Sequence, residues 1–139
     1  MNINPSDIPE VAVTFMQDTH MEEVAMLNAL YVLFDKHRAG EETPELAAQL
    51  DAIVQHTHAH FERENEKMLA LNFPPYPVHK QVHDEYLEQL DTVVNTWKET
   101  QDLAPVFTFF ELTTPQWLNQ HISTMDYVTA NFFKMAEGS

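Results

Sequence analysis

The sequence has 139 residues, 44% of them hydrophobic, which predicts a single domain over residues 1–139 with one core. Its 22 acidic and 7 basic side chains give a formal net charge of −15, and this charge repels nucleic acids and anionic lipid headgroups. Because the chain has no cysteine, any metal must be bound by histidine and carboxylate. We expect neither a signal sequence nor a membrane span, and a cytoplasmic protein without nucleic-acid or membrane partners.

The first predicted elements are an extended N-terminal arm and a long helix. The arm contains Pro5 and Pro9, and the helix is predicted to begin at Asp18 or Thr19 and to end at Gly40. Its apolar face has the three- and four-residue spacing of an amphipathic helix. That face carries His20, Val24, Leu27, Tyr31 and Phe34.

The second helix is predicted to begin at Thr43 and Pro44, because proline is favoured at the first helical position. A turn over residues 72–77, rich in proline, separates it from a third helix. The inward face of the second helix carries Leu50, Ile53, Thr57, His60, Glu64, Met68 and Leu71. The inward face of the third carries His79, His83, Tyr86, Leu90, Val94 and Trp97.

An apolar connector over residues 103–112, which could include a short helix, leads to a fourth helix predicted to begin at Thr114 and Pro115. Four amphipathic helices of similar length with short connections predict an all-α, up-down-up-down four-helix bundle. The face of the fourth helix carries Trp117, Leu118, His121, Ile122, Met125, Phe132 and Phe133.

Each predicted helix places at least one histidine on its apolar face. A single such histidine is usually a hydrogen-bonded core residue, but five unpartnered imidazoles would cost about 1–3 kcal/mol each. Binding to a cation removes this cost, and seven donors exceed what one iron, manganese or zinc ion takes, so two ions are implied. The candidate donors are His20, His60, Glu64, His79, His83, His121 and Asp126.

The spacing of the last two donors conflicts with a regular helix. His121 and Asp126 are five residues apart, and on an α-helix such residues point about 140° apart. We therefore predict a π-bulge between them, of the kind found at functional sites. The alternative is that Asp126 reaches the site from the flank of a regular helix.

The order of these motifs closely resembles the hemerythrin family, from about Asp18 to Phe133. The matching motifs are His20, HFERE at 60–64, HKQVH at 79–83 and HISTMD at 121–126. The resemblance implies two iron ions joined by an oxo or hydroxo group, with dioxygen binding at the iron that has only two histidines. The implied ligands are His79, His83 and His121 on one iron, His20 and His60 on the other, and Glu64 and Asp126 as bridges.

The resemblance also implies an apolar dioxygen pocket, formed by Phe61, Trp117, Leu118 and Ile122. Three histidines lie outside the ligand set. We interpret His56 as a supporting residue, and His37 and His58 as solvated.

Glu23 departs from the family, in which an apolar residue, typically leucine, stands three positions after the first histidine. A carboxylate buried there would be costly unless it bound metal, paired with a cation or stayed protonated. Two alternatives remain open. Glu23 reaches solvent from the flank of its helix, or it acts as an extra ligand or gate at the open iron position.

Three classes of function are compatible with this sequence. The first is an oxygen carrier, store or sensor that is not an enzyme, because an imidazole-rich site with few carboxylates stabilises high-valent iron weakly. The second is a di-iron peroxidase, oxidase or nitric oxide-reacting enzyme on the same site. The third is an iron storage or handling protein. The expected partner is dioxygen, another small gas or a peroxide.

Overall fold

The computed structural model describes residues 1–138, and this part of the chain is helical with short connections and without strands. The N-terminal arm, which includes a 3-10 turn at Pro5–Asp7, packs on the bundle through Ile3 and Ile8. Asn28 fixes the arm, because it accepts a hydrogen bond from the N–H of Ile3 at 2.7 Å and donates one to its carbonyl at 2.9 Å.

The first three long helices are α1 (Thr14–Arg38), α2 (Leu46–Ala70) and α3 (Tyr76–Thr100). The prediction that the first helix begins at Asp18 or Thr19 is wrong, because α1 starts more than a turn earlier. This extra turn carries Met16, which is fully buried and adds apolar contacts that stabilise the turn. After α1 the chain reverses at Gly40, whose φ of +84° lies in the left-handed region that favours glycine.

The bundle consists of four long helical segments, which we call rods, and α1, α2 and α3 are the first three. The fourth rod contains three α-helical stretches and two π-helical turns. In chain order these are α4 (Ala104–Thr108), the first π turn (Phe109–Thr113), α5 (Thr114–His121), the second π turn (Ile122–Asp126) and α6 (Tyr127–Gly138). A short helix, α4, lies in the predicted connector and α5 begins at Thr114, as predicted, but the expectation that the connector precedes the fourth helix is wrong, because the chain is helical without a break from Ala104. The rod begins ten residues earlier because its apolar residues, among them Val106 and Phe110, are buried in the core.

The first π turn accommodates a proline inside a continuous rod. The N–H of Thr114 bonds to the carbonyl of Phe109, five residues back, and the same pattern would pair Pro115 with the carbonyl of Phe110. Proline has no N–H to donate. The buried hydroxyl of Tyr31 donates to that carbonyl instead, at 2.6 Å, so a side chain from α1 satisfies the backbone group that the proline leaves free.

Consecutive long helices pack against each other, which gives the predicted all-α four-helix bundle. Two apolar clusters fill its interior. The main core includes Val24, Leu90 and Phe110, and a smaller end cluster includes Met16 and Phe133. No helix within residues 1–138 has the length and apolarity needed to cross a membrane.

Candidate metal centre

A layer of polar side chains, which we call the metal layer, lies between the two apolar clusters. Along α1, for example, His20 stands between Met16 of the end cluster and Val24 of the main core. The four rods of the bundle all contribute to this layer, and each of its members exposes 4% or less of its surface. The members are the seven predicted donors, His20, His60, Glu64, His79, His83, His121 and Asp126.

Three imidazoles converge on one side of this layer, which we call the three-histidine half: His79, His83 and His121. The Nε2 atoms of His79 and His83 each lie 3.2 Å from Nε2 of His121. Two nitrogen donors about 2.1 Å from one ion lie roughly 3.0–3.4 Å apart, depending on the coordination angle. The spacing therefore fits three nitrogens on one cation.

The remaining imidazoles, His20 and His60, form the two-histidine half, and two carboxylates stand between the halves. Asp126 places Oδ2 2.9 Å from Nε2 of His20 and Oδ1 3.1 Å from Nε2 of His121. Glu64 contacts Nε2 of His60 through Oε2 and places Oε1 3.5 Å from Nε2 of His83. Each carboxylate thus presents one oxygen to each half, as a bridge between two cations requires.

Two carboxylate oxygens in this layer lack a hydrogen-bond donor among residues 1–138. They are Oε1 of Glu64 and Oδ1 of Asp126, both fully buried. Leaving a buried polar atom without a partner costs about 1–3 kcal/mol, and more for a charged group. Both atoms face the three-histidine half, so a cation there would satisfy both. The residues therefore fit a pair of metal ions.

Burial sets the protonation of the donors. It lowers the pKa of His60 to about 4 and that of His83 to about 2, so both imidazoles are neutral at pH 7 and able to bind metal. Burial, followed by the charge of Asp126, raises the pKa of Glu64 well above its usual value. Burial alone would also raise the pKa of Asp126, but the charge of His121 leads the interactions that hold it well below its usual value.

The second π turn brings Asp126 to the layer. At this turn the N–H of Tyr127 donates to the carbonyl of Ile122, five residues back, and the predicted π-bulge is confirmed. A turn of five residues instead of four lets His121 and Asp126 face the same point. The hydroxyls of Ser123 and Thr124 donate to the carbonyl of Gln120 within this turn, at 3.2 Å and 2.6 Å.

Residues that sequence reasoning missed orient two imidazoles of the three-histidine half. Nδ1 of His79 lies 2.8 Å from Oγ1 of Thr129, and Nδ1 of His83 lies 2.9 Å from Oδ1 of Asn65. The available signal was weak. Thr129 is a polar residue on a buried face one turn after Asp126, and Asn65 directly follows Glu64.

Two of the predicted dioxygen pocket residues, Phe61 and Trp117, lie beside these same imidazoles. The ring of Phe61 stacks on His83 with centroids 4.0 Å apart, and the ring of Trp117 stacks on His121 at 4.3 Å. Leu118 and Ile122 are buried in the main core. The role of these four residues toward dioxygen stays a prediction.

Glu23 is buried, with only 3% of its surface exposed, so the alternative that it reaches solvent is wrong. One of its carboxylate oxygens lies 2.6 Å from Nδ1 of His56, and the other accepts a hydrogen bond from Thr57 Oγ1 at 3.0 Å. It is not among the described residues whose ligand atoms converge as a metal site. The prediction of a supporting role for His56 agrees with this contact.

The other two histidines lie at the surface. His37 is exposed, and His58 pairs with Asp91, whose nearer carboxylate oxygen is 2.9 Å away. Neither lies among the side chains of the metal layer.

Comparison with known proteins agrees with this site. The family model described as hemerythrin HHE cation binding domain matches residues 11–132. A bacteriohemerythrin of Aquifex aeolicus (strain VF5) is 32% identical over 131 residues, which cover 94% of this chain and 96% of that protein. A bacteriohemerythrin of Ralstonia nicotianae is 34% identical over 59% of this chain and 58% of its own, and the myohemerythrin of Sipunculus nudus is 32% identical over 60% and 62%. No solved structure matched.

The fold and the buried His and carboxylate layer thus define a non-haem metalloprotein built on a four-helix bundle. The chain belongs to the hemerythrin family. It is a di-iron oxygen-binding protein, and its buried cluster of His, Glu and Asp side chains is suited to metal binding.

Proposed function

We propose that the protein binds dioxygen reversibly, as a carrier, store or sensor, at the iron held by the two-histidine half. The three-histidine half holds the second iron, and Glu64 and Asp126 bridge the two. The bridging role is supported by the way each carboxylate directs one oxygen to each half. A cytoplasmic location stays a prediction from the sequence.

The main support for dioxygen binding at the two-histidine half is the unequal number of donors in the two halves. One half offers three imidazoles and the other offers two, His20 and His60, while the bridges serve both. Within residues 1–138 the converging donors of this half are His20, His60 and Glu64, and Oδ2 of Asp126 lies 2.9 Å from Nε2 of His20. Iron in an imidazole and carboxylate site takes up to six donors, so the two-histidine half leaves room for a small exogenous ligand.

Glu23 bears on the difference between oxygen binding and oxygen activation. A third carboxylate on the iron would add negative charge and favour high-valent chemistry. Both oxygens of Glu23 are instead engaged by His56 and Thr57. This arrangement supports Glu23 as a gate beside the open position, and it supports reversible binding over oxidation.

The test is the visible spectrum of the iron-loaded protein. The protein is reduced without air, exposed to dioxygen and then purged with argon, while metal analysis establishes the iron content. We expect an absorption band that appears with dioxygen and disappears on purging over repeated cycles. Irreversible oxidation in the first cycle, with release of peroxide, would contradict reversible binding.

A peroxidase or oxidase is the second candidate, and one observation favours it. Nε2 of His56 lies 3.0 Å from the exposed carboxylate of Glu22, and its Nδ1 contacts the buried Glu23. An imidazole between a surface and a buried carboxylate is suited to moving protons toward a reacting group. Steady consumption of peroxide in the presence of a reductant, abolished by His56→Leu, would favour this function over reversible binding.

A further inference from the structure

A polar cluster lies one helical turn from the two-histidine half. Glu23 comes three residues after His20 on α1, and His56 comes four residues before His60 on α2. The rings of His56 and His60 have centroids 6.2 Å apart. Glu23 and His56 therefore stand next to the two-histidine half along α1 and α2.

The carboxylate of Glu23 needs a partner because its side chain is only 4% exposed. A buried carboxylate that loses its hydrogen bonds must be protonated, move to solvent or bind a cation. Thr57 is the weaker partner, since its Oγ1 carries a single proton and also lies 2.8 Å from the carbonyl oxygen of Ile53. The contact with Nδ1 of His56, at 2.6 Å, is the shorter one.

Glu22 completes the arrangement from the surface. Its carboxylate lies 3.0 Å from Nε2 of His56, so the two ring nitrogens face two different carboxylates. An imidazole can donate to both only when it is positively charged. The hydrogen bond to Glu23 is the main cause of the raised pKa of His56, and this shift favours the positively charged imidazole beside Glu23.

We propose that His56 is a positioning residue that holds the carboxylate of Glu23 away from the iron and thereby keeps the open position free for dioxygen. When His56 is lost, Glu23 loses this partner, and an iron held by the two-histidine half one helical turn away would offer it another, so that Glu23 would become an extra ligand there. This inference rests on the proposed function, because it requires the open position to be on that half.

The experiment removes His56 and follows the iron-loaded protein. In His56→Leu we expect the affinity for dioxygen, and the affinity of the oxidised protein for azide, to fall at least tenfold. The visible spectrum of the oxidised protein should change without added ligand, and the iron content should stay at two per chain. His58→Leu is the matched control, since His58 lies on the same helix but pairs with Asp91 at the surface, and it should change none of these.

A second substitution shows whether the effect passes through Glu23. Adding Glu23→Leu to His56→Leu should restore both affinities to within about twofold of the native values. In the metal-free protein, His56→Leu should lower the melting temperature, and the added Glu23→Leu should recover it, because the unpaired carboxylate is gone. If His56→Leu folds poorly, His56→Gln, which keeps one hydrogen-bond donor, should show a smaller loss of both affinities.

Two results would overturn the inference. One is an unchanged azide affinity and spectrum in both His56→Leu and His56→Gln, and the other is a loss that persists in the double variant. A native protein that binds fewer than two irons per chain, or that lacks reversible oxygenation, would instead show that the proposed function fails.

Discussion

The two halves of the metal layer differ in what supports them. In the three-histidine half, Nδ1 of His79 and of His83 have partners in Thr129 and Asn65. The third ring, that of His121, stacks on an indole, and its Nδ1 has no hydrogen-bond partner within residues 1–138. In the two-histidine half, Nδ1 of His20 and of His60 have no hydrogen-bond partner within residues 1–138. The layer next to it is polar and consists of Glu23, His56 and Thr57.

This difference shows how one bundle can hold a metal firmly and still leave it reactive. Hydrogen bonds to the far nitrogen fix the orientation of an imidazole ligand and raise its basicity. The half that has them is suited to anchoring iron. The half without them has imidazoles free to adjust, as a site that binds and releases a ligand requires.

The largest expected effect is on iron content. His60→Ala removes one of only two imidazoles in its half, so we expect metal analysis to find about one iron per chain, held by the three-histidine half. A variant that still bound two irons would show that the assignment of His60 is wrong. His58→Ala, at the half-buried position two residues earlier that lies outside the metal layer, should keep the native iron content.

Removal of both irons should destabilise the whole bundle, because iron binds the assembled layer and not the unfolded chain. With iron at about a thousand times its dissociation constant, the loss is about 4 kcal/mol, or roughly 15 °C in melting temperature for a domain of this size. Calorimetry of the loaded and chelator-treated proteins measures it. Equal melting temperatures would contradict binding to this layer.

The metal-free protein should lose stability in acid. Burial lowers the pKa of His60 to about 4, so its contribution is present above the ordinary histidine pKa of about 6.5 and is lost as the pH falls toward 4. The loss from this residue is of the order of 3 kcal/mol. Urea unfolding between pH 7 and 4 should show a steeper decline for the native chain than for His60→Gln, and parallel declines would contradict the assigned burial effect.

The corresponding decline from His83 should continue below pH 4, because its pKa is about 2. Because the pKa of His83 is lower than that of His60, their contributions to stability are lost over different pH ranges and can be measured separately. His83→Gln should reduce the slope of stability against pH below 4, where His60→Gln no longer has an effect.

The smallest expected effect concerns the support of the three-histidine half. Asn65→Ala removes the acceptor for Nδ1 of His83, and losses of this kind weaken metal binding about 10- to 100-fold. Competition with a chelator measures it. Asn95→Ala, at an exposed position on α3, is the control, and equal affinities in the two variants would show that Asn65 does not support the site.

The sequence predicted the features that depend on spacing along one helix. Histidines and carboxylates on apolar faces identified the seven donors, since burying so many polar groups together requires a common partner. The five-residue spacing of His121 and Asp126 predicted the π turn, because a regular helix cannot aim both at one point. These arguments need only the periodicity of the helix and the cost of burial.

Features that depend on contacts between helices were not predictable in this way. The pairing of Glu23 with His56 joins residues 33 positions apart, and neither position predicts the other as its contact partner. The fourth rod continues through Pro115 because Tyr31, 79 residues from Phe110, satisfies the freed carbonyl. From the sequence alone, Thr114 and Pro115 predicted a helix start, since that is where the pair is most often found.

The second π turn also has a consequence for how this chain is compared with others. The step of five positions from His121 to Asp126 is a regular four-residue turn plus one residue, which one codon encodes. Any comparison with a helix that lacks this extra residue needs a one-residue gap between positions 121 and 126. Without that gap, a sequence alignment can match only one of the two ligands, and a metal site that both proteins share would be taken as missing from one of them.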